Sequence, residues 1–283
     1  MQRRRVGVDG YTISYQEAGP DDGPVVVLLH GLASDSTTWQ PALEWLPAHG
    51  LRVLAPDLLG HGESDKPLDA GYLLADYADR LARLLTVLGH HRATLVGHSY
   101  GGAMAMQCAL QYPAMIDGLV LVASGGLGRQ VTLALRAATL PGAGAVVRLA
   151  TSDRLGAVLR TVGVHRRISP EALVNLRRAG ATLRPPAGRA AFLATLRGVM
   201  HIGGQRGSLV ELLRGADALP ILLIWAEGDR VIPVAHAHAL CRQLPGSRLE
   251  LFPGATHEPH RRYPERFARA VAEFVGEFSA EPI

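Results

Sequence analysis

The sequence predicts an α/β protein with a mostly parallel, doubly wound sheet of about eight strands and a helical segment inserted after the sixth. Three observations predict it. Short apolar runs recur along the chain, separated by stretches with helical spacing. Gly97-His98-Ser99-Tyr100-Gly101 follows one such run and opens a helix-like stretch, which reads as strand, tight turn and helix. Between Gly125 and Asp217 the strand rhythm stops and Leu/Ala/Arg stretches take over. The expected division is a core of residues 1–125 and 217–283, with residues 126–216 as an all-helical lid.

Each element has a local reason. Arg5 to Val8 and Tyr11 to Glu17 alternate weakly around Asp9-Gly10, the pattern of a hairpin. Val25 to Leu29 is continuously apolar, as a strand buried on both faces must be. A short helix is expected around Trp39 to Leu46, then a strand from Arg52 to Ala55. Leu81, Leu84, Leu85 and Leu88 share one helical face. Ala93 to Val96 feeds the serine turn, a helix follows to Gln111, and Ile116 to Val122 is another buried-type strand. In the insertion, Ser169-Pro170-Glu171 reads as an N-cap with proline in the first turn. Strands return at Ile221 to Trp225 and Leu249 to Phe252. Phe267, Val271, Phe274, Val275 and Phe278 then line one face of a closing helix.

Composition narrows the function. The chain has 283 residues and a net charge of +4, but the charge is uneven. Leu127 to Ala216 holds 14 arginines, no lysine and 3 acidic residues, so the rest of the chain is net acidic. Either these arginines form solvated helix faces or they meet an anionic substrate group, an acidic carrier or a lipid surface. Nucleic acid is a poor fit, because Phe192 is the only aromatic residue in that segment. Cys108 and Cys241, the only cysteines, lie far apart within expected helices, so free thiols and a cytoplasmic setting are expected. The start, Met1 to Arg5, is basic, but Val6 to Gly10 is too short and polar for a signal peptide core. No run is long enough for a membrane span, and no spacing suggests a metal or cofactor site. Oligomeric state is not readable.

A serine hydroxyl is a weak nucleophile at neutral pH and needs a general base with a carboxylate behind it. Asp229 follows the strand ending at Trp225, and His257 follows the last strand within Gly254-Ala255-Thr256-His257. Ser, Asp, His is the chain order of one known arrangement of these groups. Glu227 competes with Asp229 as the acid, and His260 with His257 as the base. His260 reads better as the start of the last helix, and His61 and His98 as packing or turn residues.

With these residues in view, the chain resembles the α/β-hydrolase-fold superfamily, in its serine-nucleophile branch, over essentially its whole length. The likeness rests on His30-Gly31 after a strand, Asp57 to Ser64, the turn from Gly97 to Gly102, the loop at Asp229, and Gly254 to Pro259. It implies Ser99 as nucleophile, His257 as base and Asp229 as orienting acid. It also implies an oxyanion hole made by the backbone N–H groups of Leu32 and Tyr100. His30, Gly31, Gly97 and Gly101 would support these motifs. One departure is Arg262 before Tyr263-Pro264, where relatives often carry glutamate.

The expected activity is hydrolysis of a carboxylic ester or related small acyl compound, anionic or carrier-borne if the arginines take part. Ser124 to Gly128 resembles a segment of carbon-carbon bond hydrolases acting on ring-cleavage products, which is the alternative. Cofactor-free haloperoxidase or perhydrolase chemistry would use the same residues. Epoxide hydrolases and haloalkane dehalogenases need a carboxylate nucleophile where Ser99 stands. A ligand-binding protein on a hydrolase scaffold is the non-enzyme reading.

Overall fold

Asp9 and Gly10 reverse the chain at φ 54° and 82°, joining β1 (Gln2–Val8) to β2 (Tyr11–Ala18) in the expected antiparallel hairpin. The computed structural model describes residues 1–152, 170–213 and 219–279. Besides β1 and β2, its strands are β3 (Val25–Leu29), β4 (Arg52–Pro56), β5 (Ala93–His98), β6 (Ile116–Val122), β7 (Met200–His201), β8 (Gly204–Gln205), β9 (Ile221–Trp225) and β10 (Arg248–Leu251). Eight of these form one sheet in the order β1-β2-β4-β3-β5-β6-β9-β10. The six strands from β4 to β10 in that order are parallel, and β2 pairs antiparallel with both its neighbours.

Strand alternation builds two cores. In β3, Val27 and Leu29 face one side and Val26 and Leu28 the other; in β6, Leu119 and Leu121 oppose Val120 and Val122 in the same way. The first face packs on the helices Leu74–Val87 and Tyr100–Gln111, through Tyr77, Leu81, Met104 and Cys108. The second packs on the 3-10 turn Ser36–Trp39, the helix Gln40–Trp45 and the closing helix Pro264–Ser279, through Trp39, Leu43, Phe267, Val271 and Phe274. Helices on both faces bury the central strands completely, which is why those strands read as unbroken apolar runs. Both cysteines are free, Cys108 buried and Cys241 half-buried. Among the described residues, no helix is long and apolar enough to cross a membrane.

Between β6 and β9 lie the helices Leu133–Ala137, Ala143–Ala150, Pro170–Leu183, Pro186–Val199 and Val210–Leu213. The all-helical expectation for this segment needs correction, because β7 and β8 pair as a small antiparallel hairpin within it. Two-residue strands are too short to leave an alternating pattern in the sequence. Pro170 does open a helix, while the N-cap assigned to Ser169 lies outside the described residues.

Candidate active site

β5 delivers the chain to Ser99, whose backbone sits at φ 54° and ψ −115°, a conformation that L-residues avoid. Three backbone hydrogen bonds hold it there. Ser99 N donates to Val122 O at 2.9 Å, and Ser99 O accepts from Gly102 N at 3.1 Å and Gly125 N at 2.8 Å. The turn is too tight for side chains two positions either side of the serine. A Cβ on Gly97 would stand 2.3 Å from Gly101 O, and one on Gly101 would stand 2.2 Å from Leu29 O. Tyr100 is the first residue of the following helix, so its N–H has no partner within the helix and lies at the positive end of the helix dipole.

The loop after β3 comes against this turn. A Cβ on Gly31 would meet Ser99 Cβ at 3.3 Å, which places Leu32 beside the serine. His30 fixes the loop from below. Its Nδ1–H donates to Gly31 O at 2.9 Å, and its Nε2 accepts from Leu58 N at 3.0 Å. Burial lowers the His30 pKa, which keeps the ring neutral and leaves Nε2 free to accept.

Asp229 and His257 meet from the loops after β9 and β10. His257 Nδ1 lies 2.8 Å from Asp229 Oδ2, and because a carboxylate only accepts, the ring nitrogen carries the proton. Asp229 is held in turn: its Oδ1 accepts from Val231 N at 2.8 Å and Ile232 N at 3.0 Å, and its side chain is fully buried. Glu227 is exposed two residues earlier. His260 is also set apart. It lies in its own short helix, Pro259–Arg262, buried against Trp39 with ring centroids 4.3 Å apart, and burial holds its pKa well below 6.5.

His98 and His61 are both buried and neutral. His98 Nε2–H donates to His257 O at 2.8 Å, and burial with the neighbouring His257 pulls its pKa to about 4. His61 Nδ1–H donates to Leu59 O at 3.2 Å, and burial lowers its pKa to about 3.

Ser99 opens onto two cavities. One, of about 280 Å³, is shared by Ser99, His257, Leu32 and Arg178. The other, of about 150 Å³, is shared by Ser99, Tyr100, Leu32, Leu135, Met200 and Gln205 and is mainly apolar. Ser99, Leu32 and Leu135 line both.

Two residues here went unnoticed in the sequence. Arg178 projects from the helix Pro170–Leu183, and its Nη2 donates to Thr37 O at 3.1 Å. Its Nη1 is buried with no hydrogen-bond partner among the described residues. Gln205, from β8, accepts from Gly126 N at 2.8 Å and donates to Gly128 O at 2.7 Å, so it pins the loop that follows β6. Arg178 was one arginine among 14 in its segment, and nothing local distinguishes Gln205.

Comparison with known proteins adds an independent view. A family model described as alpha/beta hydrolase fold matches residues 24–260. An uncharacterized protein of Mycobacterium tuberculosis (strain ATCC 25618 / H37Rv) is 41% identical over 278 residues, which are 95% of this chain and 79% of that protein. The 2-hydroxymuconate semialdehyde hydrolase of Pseudomonas putida is 29% identical over 282 residues, 98% of this chain and 95% of the relative. Among solved structures, a thermophilic esterase from Thermogutta terrifontis has a TM-score of 0.76 at 25% identity, covering 98% of this chain and 99% of that one.

Proposed function

The chain belongs to the alpha/beta hydrolase fold family, and from that premise we propose that it is a serine hydrolase of carboxylic esters or related acyl compounds. The observation that carries this reading is the Asp229–His257 hydrogen bond of 2.8 Å, beside a cavity that Ser99 and His257 share. With Nδ1 protonated toward Asp229, His257 keeps Nε2 as an acceptor. Nε2 takes the Ser99 proton as Oγ attacks the acyl carbon. The resulting oxyanion accepts from the N–H groups of Leu32 and Tyr100, each worth on the order of 3 kcal/mol in a transition state of this kind. His257 then returns the proton to the leaving alcohol. A water deprotonated by His257 attacks the acyl-enzyme, releases the acid and restores Ser99.

The segment of residues 126–216 acts in this reading as a lid that shapes the pocket. The apolar cavity of about 150 Å³ would take the acyl chain. Arg178, in the other cavity, has a desolvated N–H group without a partner among the described residues, which favours a substrate carrying a carboxylate or comparable anion. Two free cysteines fit a reducing compartment, so we place the enzyme in the cytoplasm.

The test is hydrolysis of p-nitrophenyl esters of graded chain length, with Ser99→Ala as the blank, together with labelling by a fluorophosphonate. Turnover and labelling that both vanish in Ser99→Ala are expected. Full turnover by Ser99→Ala would overturn the proposal. A second reading, hydrolysis of a carbon-carbon bond in a ring-cleavage product, is favoured by the likeness to the Pseudomonas putida hydrolase. Labelling without ester turnover, followed by turnover of a ring-cleavage dienoate, would select it.

A further inference from the structure

The segment between β6 and β9 leaves large apolar side chains in solvent. Leu133 is 71% exposed, Val146 67%, Leu149 65% and Ile202 52%, and Leu73 and Leu140 are exposed as well. Single exposed apolar residues are ordinary, but several on adjoining elements are not. Close contacts tie these elements together, and Leu193 Cδ1 lies 3.1 Å from where a Cβ on Gly144, in the helix Ala143–Ala150, would stand. Arg136 Nε donates to Ile202 O at 2.7 Å, Arg197 Nη2 to Leu140 O at 3.3 Å, and Arg206 Nε to Arg197 O at 2.8 Å. Leu73 lies against Gly198, with Cδ2 3.1 Å from where a Cβ would stand.

This surface adjoins the apolar cavity. The exposed residues lie one or two positions from lining ones: Leu73 from Leu74, Leu133 from Leu135, and Ile202 from Met200. It is also mainly basic, although Asp76 accepts from Leu73 N at 2.8 Å. Arg129, Arg148, Arg197 and Arg206 are exposed around it, and no acidic residue occurs in 127–152 or 172–210. Exposed Leu, Ile and Val among arginines suit the boundary between anionic headgroups and acyl chains. A two-fold pairing of this face with itself would set arginine against arginine.

We propose that this face docks the protein on an anionic lipid bilayer, with Leu133, Val146, Leu149 and Ile202 at the acyl boundary and the surrounding arginines at the phosphates. Docking turns the cavity mouth toward the membrane, so an apolar substrate could pass from lipid to pocket without crossing water. The inference does not depend on the hydrolase reading, since binding is measured without turnover.

The full chain would be sedimented with vesicles of phosphatidylcholine alone and of phosphatidylcholine with an equal amount of phosphatidylglycerol. Pelleting with the mixed vesicles only, weakened by added salt, is expected. Leu133→Ser with Ile202→Ser should reduce it, and in Arg129→Gln with Arg148→Gln each lost charge should lower the partition constant about fivefold. Thermal melts identify a variant pair that unfolds, and the other pair then decides. No pelleting with mixed vesicles, equal pelleting with neutral ones, or full pelleting by the folded variants would overturn the proposal. A concentration-dependent dimer that Leu133→Ser with Ile202→Ser dissolves, with no vesicle binding, would assign the face to a second copy of the chain instead.

Discussion

His98 Nε2 lies 2.8 Å from the carbonyl oxygen of His257, a residue 159 positions away in the chain. The side chain just before Ser99 thus holds the loop that presents the proposed base. Since a carbonyl only accepts, His98 must keep its Nε2 proton, and burial ensures that the ring stays neutral. Replacing His98 by Leu removes the tether and should lower kcat about tenfold with little change in KM, the loss of one hydrogen bond's positioning. His98→Gln can still donate and should recover part of the rate. Steady-state kinetics of both variants checks this.

Asp229→Asn separates orientation from stability. Val231 N and Ile232 N need an acceptor at this side chain, and the asparagine oxygen can take that place. The amide then presents N–H to His257 Nδ1, which forces the ring proton onto Nε2 and removes the proposed base. Activity should fall by about 10⁴-fold while the melting temperature changes little. Asp229→Ala should lose activity and stability together, because two buried N–H groups are left without an acceptor. Paired rate and melting measurements on both variants distinguish the two effects.

What could be read from the sequence follows from how local each cause is. The serine turn announces itself because steric crowding excludes any side chain at Gly97 and Gly101, each two residues from Ser99. The Asp9-Gly10 turn and the two-sided strands are visible for the same reason: positive φ and burial on both faces restrict residue types one position at a time. Asp229 and His257 are recognisable only because strands precede them, while their hydrogen bond is a tertiary fact. Gln205 and Arg178 were missed since each acts across a packing contact, with Gly126 and Thr37, that no spacing encodes. His260 reads as the start of the last helix, and the structure puts it instead in a separate short helix, Pro259–Arg262, packed on the Trp39 ring by a contact that no spacing encodes.

Buried histidines should make the fold acid-labile. His30, His61, His98 and His260 all have pKa values lowered chiefly by burial, His98 from 6.5 to about 4 and His61 from 6.5 to about 3. In that window the unfolded chain binds protons that the folded one refuses. Stability is therefore fully present above about pH 6.5 and falls as pH drops toward the folded values, by about 1.4 kcal/mol per pH unit for each histidine. Melting temperatures should decline steeply below pH 6.5. The decline should be shallower in His98→Gln, by the slope of about one proton. Thermal melts of the two proteins across that range provide the check.

Arg178 should discriminate among substrates by charge. Its guanidinium is anchored through Nη2 on Thr37 O, while Nη1 is buried without a partner among the described residues. Burial, reinforced by the Arg261 charge, lowers its pKa, so the cation is held under a desolvation cost that an anionic ligand would relieve. A charge-assisted hydrogen bond is worth about 1.5–3 kcal/mol, so Arg178→Gln should raise KM for a carboxylate-bearing ester roughly 10-fold to 100-fold. A neutral ester of the same length should be little affected. Arg178→Lys keeps the charge but loses the planar fork, and should fall between the two. If all three proteins handled both esters alike, Arg178 would be a lid anchor through Thr37 alone, and the anionic-substrate reading would fall with it.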